Sequence, residues 1–175
     1  QFLQSVFNDN KFRKNFGEEL EAGYAIGGLV LRPYVDTKTN KIKISFCRAD
    51  TFYPLQSNTN DISEAAIATI TQQNEGKKNV YYTLLEFHEW ENSTYYIRNE
   101  LYRSEEQSQT GVRVPLPTLD KYKELKEETA LVGFTRPLFV YIKLAGKNNI
   151  DIDSPLSLGI IDNAKRQLID INEKY

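Results

Sequence analysis

Two runs of strand-forming residues, Val80–Trp90 and Thr94–Arg103, are separated only by Glu91-Asn92-Ser93. A connection that short leaves the second run one place to go: antiparallel beside the first, as a hairpin. In the second run Tyr95, Ile97 and Leu101 fall on one face and Tyr96, Arg98 and Glu100 on the other. Such alternation marks a sheet with one solvated side. Glu64–Thr71 reads as a further strand, joined to Val80–Trp90 around Asn74-Glu75-Gly76. Upstream, Leu29–Val35 and Lys41–Cys47 flank a polar turn at Asp36–Asn40, and Ile42, Ile44 and Phe46 alternate. They form a second hairpin with one buried face. Pro33 cannot donate to a ladder, so its strand is an edge or carries a bulge.

Helical periodicity occurs at the two ends. Gln1–Ala25 reads as helix: Phe2, Leu3, Val6 and Phe7 fit one stretch, and Phe12, Phe16 and Leu20 recur every four residues. Asp9 or Asn10 can cap a second helix or a continuation, and Gly27-Gly28 stops it. At the other end Leu138–Leu144 is a short apolar strand, and Ala145–Ser154 is a loop. Ser154 and Pro155 then stand as N-cap and first helical residue before the stripe Leu156, Ile160, Ala164, Leu168 and Ile171. Between these parts, Ala49–Asp61 reads as a loop with a packed centre, Thr51–Leu55. Ser104–Gly111 is a polar, mobile loop, Val112–Leu119 is extended and irregular, and Leu119–Lys126 makes a helical turn or two. The fold expected is α+β: an N-terminal helix, a mostly antiparallel β-sheet of hairpins, and a C-terminal strand-loop-helix, in a single domain over residues 1–175.

Composition narrows the function. Twenty-two basic and 24 acidic residues leave a net charge of -2, which argues against gripping nucleic acid by charge alone. The lone cysteine, Cys47, has no internal disulfide partner and no neighbouring base, and reads as a small buried hydrophobe. No run approaches the ~20 apolar residues of a membrane-spanning helix, and no stretch reads as a signal-peptide pattern. The chain lacks methionine and both ends read as helix interior, so the expectation is a fragment of a longer protein.

Candidate chemistry is sparse. In Glu86-Phe87-His88-Glu89-Trp90-Glu91, Glu86 and His88 share one strand face and Glu89 and Glu91 the other. Two ligands are too few for a closed metal site, and H-E-x-x-H is not matched because position 92 is Asn. The plain alternative is a solvated sheet face with charges paired across strands, for example to Arg98. A hydrolase using Glu86, His88 and Glu89 would need them to converge in a pocket. Asp151 and Asp153, after Asn148 and Asn149, lack the Gly and distal Glu of a calcium loop. They make a local turn and cap the helix, or a weak divalent-cation contact. The Gly27-Gly28 pair precedes a strand and follows a helix, the wrong order for a dinucleotide fingerprint. A free-standing module binding a peptide or protein at the Leu29–Val35 edge is a further reading, if that edge is open.

Three segments taken together resemble a known family. One is Arg136, Pro137, Leu138, Phe139, Tyr141 and Lys143, followed by Asn148, Asn149, Asp151, Asp153, Ser154, Pro155 and Leu156, then Asp162, Asn163, Ala164 and Leu168. The others are Gly27–Val35 and Tyr81–Trp90. In this order they resemble the portal proteins of tailed phages and prophages of Gram-positive bacteria. The resemblance implies the wing region of a subunit, in a ring of about a dozen copies at one capsid vertex. The helix from Pro155 to Tyr175 would lead toward the stem. The implied partners are other copies of the chain, the terminase, major capsid and scaffold proteins, and the head-tail connector, with DNA passing through the full-length channel. The place implied is the virion, and the host cytoplasm during assembly. No cofactor, metal or catalytic residue is implied: ATP hydrolysis belongs to the terminase, in keeping with the lack of a G-x-x-x-x-G-K-[ST] loop here.

Overall fold

The computed structural model describes residues 1–58, 61–76, 78–144, 148–160, 162, 165 and 169. The chain divides into two compact units: Gln1–Asp50 with Asn58–Asp61 and Leu138–Tyr175, and Thr51–Ser57 with Ile62–Pro137.

In the first unit, helices α1 (Phe2–Asp9) and α2 (Phe12–Ile26) precede strands β1 (Gly28–Asp36) and β2 (Lys41–Arg48). The N-terminal helix is therefore two helices, broken at Lys11, which is left-handed. Neither Asp9 nor Asn10 caps α2. Asn10 instead closes α1 and reaches the outer edge of β2. Its Nδ2 donates to the carbonyls of Val6 (2.7 Å) and Ile42 (3.0 Å), and its Oδ1 accepts from the Ile44 N–H (3.0 Å). A side-chain amide thus occupies the place of a fourth strand and blunts an exposed edge. Phe7, Phe12 and Phe16 stack in series, and Phe12 and Phe16 meet Phe46 of β2.

The last described strand, Val140–Lys143, pairs with β1, giving a three-stranded antiparallel sheet with β1 in the middle. Its partners on β1 are Gly28–Leu31 only. Pro33 lies beyond them, opposite Ile44. Because the Ile44 N–H faces outward to Asn10, Pro33–Ile44 is a non-hydrogen-bonded pair, and the missing Pro33 donor would have pointed away from β2. Proline sits where no ladder bond is lost.

The helix expected from Ser154 does not begin there. Ser154 Oγ accepts from the Leu156 N–H two residues on, a local turn, and residues 154–160 are not helical. Their backbone is committed elsewhere. The Ser157 N–H donates to the Tyr141 hydroxyl (3.1 Å), and the Ile160 N–H satisfies the Tyr24 carbonyl in the last turn of α2 (3.1 Å). Local capping signals lose to this docking. Lys165 and Ile169 are helical; the stripe positions Ala164, Leu168 and Ile171 lie outside the described residues.

The second unit is an antiparallel sheet of β3 (Phe52–Ser57), β4 (Ile62–Glu75), β5 (Lys78–Glu91), β6 (Thr94–Ser104) and β7 (Val112–Val114) in that order, with β8 (Glu128–Leu131) also paired to β6. The β5–β6 connection is the two-residue turn Asn92-Ser93, both at positive φ, which matches the twist of the flanking strands. Thr51–Leu55, read as loop, contributes instead to the edge strand β3, with Pro54 and a register shift that discourage further pairing. One face of the sheet is packed. Val80, Tyr82, Leu84 and Leu101 form a core with Leu116 and Leu119, carried by short 3-10 turns at Leu116–Thr118 and Asp120–Tyr122. The loop after β6 is tied down at its start: Lys78 pairs with Glu105, and the Glu106 N–H donates to Ser104 Oγ.

Candidate functional site

Strand β5 carries polar groups on both faces, and the two faces differ. On the packed face Glu86 and His88 continue the line of Val80, Tyr82 and Leu84 and are 5% and 1% exposed. Register places His88 beside Ile97 and Trp90 beside Tyr95. His88 Nε2 lies 2.8 Å from Glu86 Oε1, and Nδ1 lies 2.6 Å from the Tyr95 hydroxyl, itself fully buried. Both ring nitrogens are thus engaged, one by a carboxylate oxygen and the other by a phenol hydroxyl. Tyr95 packs on Trp90 and Phe134. The solvated-face expectation therefore fails for Glu86 and His88. The covering side of a strand is decided by what packs on it, here segments far along the chain. Alongside, Asn99 is buried opposite Glu86. Its Nδ2 donates to the Lys126 carbonyl, and its Oδ1 has no partner among the described residues.

On the opposite face the expected pairing to Arg98 holds. Arg98 donates to Glu89 (2.8 Å), Glu91 (2.8 Å) and Glu128 (2.7 Å), and its guanidinium lies over the Tyr96 ring. The bonds to Glu128 and Glu89 raise the guanidinium pKa further. Glu89 is thus on the face away from Glu86 and His88. The three side chains do not converge, so the geometry offers no shared pocket for a hydrolase built on them.

The other candidates resolve into local structure. Asp151 Oδ1 accepts from the Asp153 N–H, and Asn148 Oδ1 from the Ile150 and Asp151 N–H groups. These are Asx turns. Asp153 and Ser154 do not cap a helix there, and among the described residues no three His, Cys, Asp or Glu side chains gather as metal ligands. Cys47 is half-buried in β2 near Ser45. The Leu29–Val35 edge is covered over Leu29–Leu31, where β1 has a neighbour on both sides, and has β2 alone beyond. Among the described residues no helix is long and apolar enough to cross a membrane.

What the site residues share is inward commitment: carboxylates, guanidinium and imidazole are spent on one another within a sheet. The family model for phage portal protein, SPP1 Gp6-like, matches residues 1–170. The chain belongs to that portal protein family. No curated protein matches the chain. The portal family is structural, its members assembling as rings in the capsid, and the expected α+β class with antiparallel sheets holds for this portal chain.

Sequence reasoning missed three residues that hold this portal fold together. Tyr95 completes the Glu86–His88 chain, and the signal was available once the Asn92-Ser93 turn set its register opposite Trp90. Asn10 reads from sequence only as a cap candidate; its reach to β2, like that of Asn99 to Lys126, carried no signal because that backbone is remote in sequence.

Proposed function

We propose that residues 1–175 are a wing-like piece of a portal subunit at one capsid vertex, supporting DNA packaging and head-tail joining through contacts between subunits. The helical residues Lys165 and Ile169 belong to a segment leading toward the stem. The family match over residues 1–170 carries this reading. The inward pairing of Glu86, His88, Tyr95 and Arg98 supports a scaffold with no catalytic role. The partners proposed are further copies of the chain, terminase, capsid or scaffold proteins, and the connector, in the virion and in the host cytoplasm during assembly. DNA passes through the ring without specific contact to these residues. Immunogold labelling of intact particles tests this. Label confined to the head-tail vertex is expected; label spread over the capsid, or absent from particles, would overturn it.

A further inference from the structure

The solvated face of the second unit's sheet is charged at one end and apolar at the other. Around Glu89, Arg98 and Glu100 it is polar, as a solvated face should be. Toward β3 it carries Tyr53, Ala66, Ala68, Ile70, Thr83 and Leu85, which with residues 107–110 line an open groove of about 340 Å³. Alanine is a poor strand former, yet Ala66 and Ala68 occupy a central strand and floor the groove. Larger side chains would fill it. Ile70 and Tyr53 stay 46% and 52% exposed at its wall. No lining residue is charged, and the rim is Gln107, Ser108, Gln109 and Thr110.

A second apolar surface has the same uncharged character. Helix α1 buries none of its residues, and Phe2 and Leu3 are 68% and 66% exposed. Residues 1–8, QFLQSVFN, hold no charge in a chain that is 26% charged. A closed ring uses heterologous contacts, in which one patch of a subunit meets a different patch of the next. An apolar ridge and an apolar groove, both free of charge, meet that requirement without burying an unpaired ion.

We propose that α1 of one copy, through Phe2 and Leu3, docks in the Ala66–Ala68–Ile70 groove of the neighbouring copy; this rests on the portal reading. The test uses the whole protein. Unaltered protein is first sized by light scattering. Leu3→Cys and Ile70→Cys are then combined in a Cys47→Ser background and oxidised. A ladder of covalent oligomers rising to the ring number is expected, with each single-cysteine variant stopping at dimer or below. In parallel Ile70→Lys is expected to shift rings to monomer, and adding Leu3→Glu to restore them. Rings that persist in Ile70→Lys and give no ladder would overturn the docking while leaving the portal reading intact. A cross-link confined within one chain would also overturn it. Absence of rings in the unaltered protein would remove both. Ile70 and Leu3 are exposed, so an unchanged thermal melt of each monomer serves as the folding control.

Discussion

Replacing Asn10 with Ala removes three side-chain hydrogen bonds, two of them to the outer edge of β2. An intramolecular bond contributes about 0.5–1.5 kcal/mol net, and these lie at partly exposed positions where water substitutes. The low half of that range applies, so the edge should lose about 1–2 kcal/mol of local stability. Each 1.4 kcal/mol corresponds to about tenfold in an opening equilibrium, so exchange of the Ile44 amide should quicken roughly 5- to 30-fold. Amides of Lys43 and Ser45 face β1 and should change far less. Hydrogen exchange followed by NMR reads each amide separately. Asn10→Asp keeps an acceptor for Ile44 but sets a carboxylate against the Val6 and Ile42 carbonyls, and should protect the edge less than Asn does. Unchanged Ile44 exchange in Asn10→Ala would refute the clamp.

Three further outcomes are expected. Gly28→Ala places a methyl against the Tyr141 ring, whose hydroxyl donates to the Gly27 carbonyl and accepts from the Ser157 N–H; overpacking of this kind costs about 1–3 kcal/mol, read by urea denaturation. Arg98→Ala breaks three half-exposed ion pairs and should cost about 1–2 kcal/mol, less at high salt, with a double-mutant cycle against Glu128→Gln showing coupling below about 1 kcal/mol. The Glu75 carboxylate, then burial, pushes the Tyr82 phenol up, while bonds from Arg103 and then Tyr82 hold Glu75 down. The Tyr82 contribution is therefore full below its unfolded value of about 10 and lost as pH rises through the folded one; that of Glu75 is present above ~4.3 and lost as pH falls. Absorbance titration should show Tyr82 and Tyr102 ionising late, and Glu75→Gln should return Tyr82 toward the ordinary range.

Strand alternation made the hairpins legible, down to the split of Tyr95 and Ile97 from Tyr96 and Arg98 across β6 and the choice of Arg98 as a cross-strand partner for the charges of β5, which the structure pairs with Glu89 and Glu91. It could not say which face would be covered. Glu86 and His88 are buried on the face whose Val80, Tyr82 and Leu84 pack with Leu116 and Leu119 and whose Tyr95 meets Phe134, residues remote from β5 in the chain. The edge strand β3 was hidden by Pro54, a residue that breaks ladders in general but is tolerated at an edge. At Ser154-Pro155 the local signals were sound helix signals; the competing bonds to Tyr141 and Tyr24 are tertiary and invisible to any local window. The α2 stop at Gly27 was legible because a left-handed C-cap favours glycine, and its φ is 90°. The close passage of Ser157 over that glycine was not.

Whether this chain is part of a ring-forming portal subunit is read most directly from the molar mass of the whole protein in solution, by light scattering at near-physiological salt. A discrete assembly of about a dozen chains is expected. A single chain mass that holds at high concentration, with and without capsid scaffold protein present, would contradict it.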